Sequence, residues 1–533
     1  MAGTESRRER HERSRAPTAP EGARRSKRYA WLPVTAPERL SAVLAAPDPG
    51  RPALVCPDEG LTLAHRELAE AVDILAGRLA ALGIGRGDRV ALALPNGPEI
   101  VELVLAVTAL GAAAAPLNPA YTAEEHRFYL ADLMPRLLLL PAGDLKAARA
   151  AAAAASLQVA EVAWGDGGSV GLLSGGRTVA PDGDYVRGEP EDVAILLHTS
   201  GTTSRPKQVP LLQRNLVASA RSMTRHYGLT PEDVSYVAMP LFHVHGLVAS
   251  TFAALLAGGS IVVPHRLAPR RFWEHVGELG VTWVSAGPTI HHMLLERADR
   301  TSVARLRFTR SCSSALSPEL MARAEATYGV PMIEAYGMTE ASHEMAANPL
   351  PPAERRPGSV GVPTGAAIRV VDAGWRDLPE GAPGEVVVSG PGLTPGYLAN
   401  PEANAASFRD GWFRTGDQGV LEGGYLRLVG RLKELIIRGG ENISPAEVED
   451  VLRAHPAVAD AVAFGVPDEK YGERVAVAVS LRGEADERAL IEHCRSRLTA
   501  VKVPSEVHIL DEIPRTATGK LQRRRVAASI YGG

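Results

Sequence analysis

Residues 89–140 read RVALALPNGPEIVELVLAVTALGAAAAPLNPAYTAEEHRFYLADLMPRLLLL, and this stretch decides the fold. Arg89 to Leu94 is a short apolar strand. Pro98 to Leu110 follows as a helix, with proline in the first turn where its missing N–H is not needed. Ala112 to Leu117 is a strand again. Thr122 and Glu125 form a capping box that starts the next helix, and Leu137 to Leu140 is a buried strand. Strand–helix–strand alternation predicts parallel sheets covered on both faces by helices.

Working outward, Thr62 to Leu82 carries Leu68, Val72, Leu75, Leu79 and Leu82 at helical spacing and stops at Gly83. The Ala-rich run Ala148 to Ala155 reads as a surface helix, and Gly165 to Gly188, rich in Gly and Asp, as a loop. A second alternating stretch runs from Glu191 to about Tyr336. Within it, Gly246 to Val263 is uncharged but broken by Gly258-Gly259, which predicts a buried helix followed by the strand Ser260 to Val263 rather than a membrane span. From Gly358 to Arg427 short strands alternate with Gly and Pro, Gly384 to Ser389 being the clearest, so a β-rich subdomain is expected. Gly430 to Gly440 is compact, charged and bounded by glycine. A separate α/β pattern follows it, which places the major domain boundary there.

At 533 residues the chain exceeds the size of a single core, so several domains are expected. A net charge of only −3 argues against a nucleic-acid or acidic-membrane partner. Cys56, Cys312 and Cys494 are too scattered for a disulfide framework or a zinc site and fit a reducing, cytoplasmic setting. Residues 1–28 are dense in Arg without apolar periodicity and are expected to be a disordered basic tail; Glu5, Glu9, Glu12 and Glu21 count against a transit peptide.

Four segments carry chemistry. The first, His198-Thr-Ser-Gly-Thr-Thr-Ser-Arg-Pro-Lys207, follows an apolar strand. Small hydroxyl residues and a glycine let backbone N–H groups close around phosphate oxygens, and Lys207 supplies a point charge, although the Walker pattern is absent. The second is Tyr336-Gly-Met-Thr-Glu340, whose carboxylate suits a hard dication. The third is Thr415-Gly-Asp417 with Gly430-Arg431; a carboxylate can accept from two vicinal hydroxyls. The fourth is Pro514-Arg-Thr-Ala-Thr-Gly-Lys520. Each alone is also a surface turn, a helix start or a solvated tail. The order of all four distinguishes them.

In that order the segments resemble the adenylate-forming superfamily of acyl-CoA synthetases, luciferases and adenylation domains, over nearly the whole chain after the tail. The resemblance implies ATP, Mg²⁺ and coenzyme A as co-substrates and metal, with acyl-AMP as the intermediate. It puts Thr199, Ser200, Gly201, Thr202, Thr203 and Lys207 on phosphates and Ser313, Ser314, Ala315, Tyr336 and Gly337 on the nucleotide. It gives Thr339 the α-phosphate, Glu340 the Mg²⁺, and Asp417 and Arg431 the ribose. Lys520 becomes the mobile cation that stabilises the adenylation transition state. The implied architecture is α/β: a large N-terminal domain of parallel sheets with a β-rich subdomain over 29–430, a hinge over 431–433 containing Lys433, and a small mobile α+β domain over 434–533. Gly439 and Gly440 would line the CoA tunnel. Two positions depart from the general phosphate loop, Ser204 and Gln208, where glycine is usual.

The acyl pocket of the family maps onto Thr289-Ile-His-His292, Ser311-Cys-Ser-Ser-Ala315 and Ala341-Ser-His343. Hydroxyls and imidazoles there imply a small polar acid whose second carboxylate needs donors. Phe242-His243-Val-His245-Gly and Glu340-Ala-Ser-His343 with Asn348-Pro-Leu resemble the oxalate–CoA ligases in particular. That likeness makes His243 a gate of the acid site and His343, with Ser313 or Ser314, the donors to the distal carboxylate; His245 reads as a satisfied structural imidazole. Arg523 to Arg525 remain open between plain surface and CoA-phosphate contacts. A short or aromatic monocarboxylate as the acid, a carrier protein as acceptor, and a catalytically dead nucleotide-binding scaffold are the alternatives. The presence of Glu340, Asp417, Arg431 and Lys520 together argues against the scaffold.

Overall fold

The computed structural model describes residues 38–164, 170–199, 206–298, 305–439, 441–516 and 521–532. The expected tail, Ser200 to Thr203, Gly440 and Lys520 lie outside these. The deciding stretch folds as read. Strands Arg89–Leu92, Ala113–Pro116 and Leu137–Pro141 are parallel neighbours, separated by helices Pro98–Ala109 and Ala123–Leu133. The capping box closes: Glu125 N–H donates to Thr122 Oγ1 at 3.2 Å and Thr122 N–H to Glu125 Oε2 at 2.8 Å. Such a cap stabilises a helix by about 1 kcal/mol.

These strands sit in an eight-stranded sheet whose edge is the hairpin Val193–Thr199 with Lys207–Leu212, in register Thr199 with Lys207 and His198 with Gln208. A nine-stranded sheet holds the parallel strands Val234–Tyr236, Trp283–Ala286, Phe308–Ser311 and Met332–Met338. Trp283 and Phe308 stack at 5.5 Å across adjacent strands, and Tyr227 stacks on Phe308 at 5.3 Å. This aromatic row anchors strands whose C-terminal ends feed the loops where ligands of parallel sheets gather. Strand His343–Ala347 then returns antiparallel to Met332–Met338.

The segment expected as a buried helix begins at His245. Over His245–Phe252 it is wound wider than an α-helix, a geometry frequent at functional sites, and it is buried throughout. Gly246 permits the entry: a Cβ there would lie 2.4 Å from the Pro240 carbonyl oxygen.

Three expectations need correction. The helix starts at His65, because Leu61–Ala64 pairs as a strand with Pro52–Cys56. Within the expected loop 165–188, Val170–Ser174 and Arg177–Thr178 form a hairpin, their turn made by Gly175-Gly176 at positive φ. The Ala-rich helix Lys146–Ala154 is not purely surface; Ala148, Ala151 and Ala152 are buried at helical spacing.

Residues 367–431 build a five-stranded antiparallel sheet, the β-rich texture read from the sequence. A further five-stranded sheet uses Ile436–Arg438, Glu441–Ile443, Val458–Asp468, Gly472–Leu481 and Glu506–Ile509, with helices Pro445–Arg453, Glu487–Arg495 and Arg523–Tyr531. Arg523 is part of this body's interior: its guanidinium pairs with buried Glu449 at 2.8 Å. Cys56, Cys312 and Cys494 are buried free thiols. Among the described residues no helix is long and apolar enough to cross a membrane.

Glu102 stands fully buried inside helix Pro98–Ala109, and its Oε1 has no hydrogen-bond partner among the described residues. Burial raises its pKa from 4.5 to about 8, helped by nearby Glu99. The folded state therefore holds this proton more tightly than the unfolded chain, so stability falls as pH rises from about 4.5 to about 8. Glu102→Gln removes that slope. Thermal melts should show the variant's Tm advantage growing between pH 5 and pH 8 and levelling above; a constant difference would contradict a neutral buried Glu102.

Candidate functional site

The hairpin that frames the expected phosphate loop is stapled at its base by one carboxylate. Asp132 accepts from Gln208 Nε2 at 2.7 Å on both its carbonyl oxygen and Oδ2, and its Oδ2 lies 2.8 Å from His198 Nε2. His198 and Gln208 face each other across the two legs. Gln208, the departure from the usual glycine, thus ties the outgoing leg to the neighbouring helix. Burial lowers the His198 pKa, opposed by Asp132.

From this base Lys207 reaches over the Tyr397 ring, its Nζ 4.4 Å from the centroid. Burial lowers its pKa, while Glu340 opposes and Lys433 reinforces the shift. The Tyr397 hydroxyl donates to Glu340 Oε1 at 2.9 Å. Glu340 is buried in the single turn Thr339–Ala341 that follows strand Met332–Met338, and burial raises its pKa. Its carbonyl accepts from Thr394 N–H at 2.8 Å. Asp417 completes this side: the Tyr336 hydroxyl donates to its Oδ2, and Arg431 Nε pairs with its Oδ1 at 3.0 Å. A carboxylate is the kind of acceptor that vicinal hydroxyls of a ligand require. Lys207, Tyr336, Thr339, Glu340, Asp417, Arg431 and Lys433 are therefore brought to one place from four segments of sequence. Lys433 itself is exposed, in the turn where Glu434 N–H and Leu435 N–H both bond to the Arg431 carbonyl.

A second polar cluster adjoins the first through Gly337. A Cβ at Gly337 would lie 2.1 Å from the His343 carbonyl oxygen, so the two strands approach closely only because this residue is glycine. His343 has φ 108°, Ser342 φ 53° and Ser313 φ 77°, three side-chain-bearing residues in the left-handed region. Strain of this kind, of order 1–3 kcal/mol each, persists only where surrounding structure over-determines it. For His343 the partner is Arg310, which has no exposed side-chain surface. Its Nη2 donates to Glu344 Oε2 at 2.9 Å and to His343 Nε2 at 3.0 Å; its Nη1 donates to Ser285 Oγ at 2.8 Å; its Nε donates to the Tyr227 hydroxyl at 2.9 Å. His245 lies stacked on His343 at 4.9 Å, with Nε2 2.7 Å from Ser285 Oγ and Nδ1 2.9 Å from Ser313 Oγ. Burial and the adjacent guanidinium hold both imidazoles far below their ordinary pKa.

Ser313, Ser314 and Ala315 form an exposed loop at the end of strand Phe308–Ser311. His243 is half-buried, its ring 4.7 Å from Phe242, and burial takes its pKa down to about 4. Two expected pocket residues point elsewhere. His291 binds the Arg310 carbonyl at 2.9 Å within the core, and His292 lies beside Glu296 at 3.4 Å on its own helix. Gly439, at φ 61°, follows strand Ile436–Arg438 and donates to the Tyr471 carbonyl at 2.8 Å. Tyr227, Ser285, Arg310, Glu344 and Tyr397 were not anticipated. For Arg310 a signal existed: a cation in Phe308-Thr-Arg-Ser311, an otherwise core-like strand, is costly unless paired.

Comparison with known proteins accords with this geometry. The family described as AMP-binding enzyme matches residues 43–398, and the AMP-binding enzyme C-terminal domain matches 447–520. A "Probable CoA ligase" from Humulus lupulus is 48% identical over 482 residues, covering 87% of this chain and 91% of that one. An oxalate–CoA ligase from Arabidopsis thaliana is 45% identical over 477 residues, covering 87% and 93%. The crystal structure of ATP-bound MatB from Rhodopseudomonas palustris superposes with TM-score 0.84 at 29% identity, covering 93% and 99%.

Gly337→Ala tests the junction of the two clusters. The added methyl must displace the His343 backbone, so turnover should fall at least about a hundredfold, with a stability loss of about 1–3 kcal/mol. Unchanged turnover, measured by pyrophosphate release, would show that His343 need not sit where it does.

Proposed function

Because the chain belongs to the AMP-binding enzymes and is an AMP-forming acyl-CoA synthetase, we propose that the acid it activates is oxalate. The observation that carries this is the polar cluster at the ends of Trp283–Ala286 and Phe308–Ser311. Serine hydroxyls and neutral imidazoles stand around a buried cation where an alkyl or aryl chain would need an apolar wall. The 45% identity to an oxalate–CoA ligase supports the same reading.

The reaction then has two steps at one site. A carboxylate oxygen of the acid attacks the α-phosphorus of ATP, and the bond to pyrophosphate breaks. The CoA thiolate next attacks the acyl carbon, and AMP leaves. Lys207 faces phosphate, Thr339 the α-phosphate, and Asp417 with Arg431 the ribose hydroxyls. Ser200 to Thr203 contribute backbone and hydroxyl donors. Ser314, Ala315 and Tyr336 border the base, with Gly337 leaving room beside it. Mg²⁺ fits Glu340, a buried carboxylate with one oxygen already oriented by Tyr397, and when bound it neutralises charge on the phosphates. Lys520 supplies the positive charge between acid and α-phosphate. Residues 434–533 act as a lid that turns about 431–433, taking Lys520 out and bringing Gly439 and Gly440 to the thiol path. His243 gates the acid site, and His343 with Ser313 holds the distal carboxylate.

Pyrophosphate release with MgATP across oxalate, malonate, acetate, octanoate and 4-coumarate, with and without CoA, tests the proposal. Turnover on oxalate that depends on CoA is expected; preference for octanoate or 4-coumarate would overturn it. His343→Ala should raise the KM of oxalate at least about tenfold and leave that of ATP within about twofold. An equal loss for both substrates would remove His343 from the acid site.

A further inference from the structure

The buried cluster has more order than a set of donors needs, because its hydrogen atoms can be assigned. Arg310 is donor only, so the 3.0 Å contact of its Nη2 makes His343 Nε2 an acceptor and leaves the imidazole proton on Nδ1. Ser285 Oγ accepts from Arg310 Nη1 at 2.8 Å, and its own hydrogen then points to His245 Nε2 at 2.7 Å. A second donor, Arg310 Nη1, lies 3.5 Å from the same nitrogen, which also favours a lone pair there. His245 thus carries its proton on Nδ1 and donates to Ser313 Oγ at 2.9 Å. Ser313 is exposed, and with its oxygen accepting from His245 its hydroxyl hydrogen is directed away from the core. Each link polarises the next in a low-dielectric interior.

We propose that Arg310 is the positioning residue of the acid site, acting through Ser285 and His245 on Ser313 and directly on His343, so that two hydrogen-bond donors are presented to the substrate's distal carboxylate. The guanidinium never touches the acid. Glu344 and Tyr227 hold it in place and balance its charge, so the buried cation sets proton positions without itself becoming the anion's partner. This inference rests on the reading of the acid as a small dicarboxylate.

The test is a double-mutant cycle of Ser285→Ala and Ser313→Ala, with Arg310→Lys as a third variant and thermal melts throughout. Ser285→Ala breaks one link and leaves Arg310, Glu344 and both imidazoles in place. It should raise the KM of the acid about tenfold, the loss of one charge-assisted hydrogen bond, with the KM of ATP unchanged. In the Ser313→Ala background the same change should have less than about a twofold effect, because both act through one chain. Arg310→Lys, which keeps the charge but not the fork of donors, should raise the acid's KM as much as Ser285→Ala or more. Additive effects of the two serine variants, or parallel rises in the KM of acid and ATP, would overturn the proposal even if Arg310→Lys failed to fold. The wild-type acid panel is run first. If neither oxalate nor malonate is turned over there, the dicarboxylate reading fails by itself; the cycle, run on the preferred acid, then decides whether the relay exists.

Discussion

A guanidinium without contact to water must spend every N–H on a partner inside the protein, and Arg310 faces one carboxylate, one phenol, one hydroxyl and two imidazoles. Removing a single partner from such a buried pair is destabilising by about 3–5 kcal/mol, since the remaining charge is left unsolvated. That requirement fixes four segments relative to one another: helix Gln213–His226 with Tyr227 at its C-cap, and strands Trp283–Ala286, Phe308–Ser311 and His343–Ala347. Left-handed backbone at Ser313 and His343 accompanies the same cluster, His343 reaching Arg310 and Ser313 reaching His245, while Ser342 turns its hydroxyl to the Gly392 carbonyl.

The side of the site around Glu340 and Asp417 is built differently. Its groups are paired but shared: Tyr397 lies between Lys207 and Glu340, and Asp417 between Tyr336 and Arg431. Gly337 is where the two halves meet, one strand carrying Tyr336 toward Asp417 and its antiparallel neighbour carrying His343 toward Arg310. On the proposed reading the acid and the α-phosphate of ATP react with each other, and this shared β-ladder brings the groups assigned to them together.

Much of this was legible in residue order. Alternating apolar runs and the Thr122–Glu125 cap announced the parallel sheets, and the ordered motifs announced Lys207, Glu340, Asp417 and Arg431 as neighbours. The errors were local. Leu61–Ala64 has helix-compatible spacing yet is claimed by the edge of a sheet, and the hairpin after Val170 hides in a Gly-rich stretch because its strands are short. His291 and His292 looked like pocket residues, whereas the helix phase turns one into the core and the other toward Glu296. Arg310 and Ser285 escaped notice because a hydrogen-bond relay depends on register between strands far apart in sequence, which one sequence does not display. Asp132 was missed for the same reason, although Gln208, the residue it holds, stood out as a departure.

On the proposed reading the acid site recognises a second carboxylate by donors whose protons are fixed from within. Competing oxalate against oxamate, in which an amide replaces one carboxylate at nearly equal size, tests it most directly by the ratio of kcat/KM for CoA-dependent pyrophosphate release. The relay predicts a preference for oxalate of at least about a hundredfold, because fixed donors face the amide's own N–H groups. A ratio near one would contradict it, since the site would then be reading size alone.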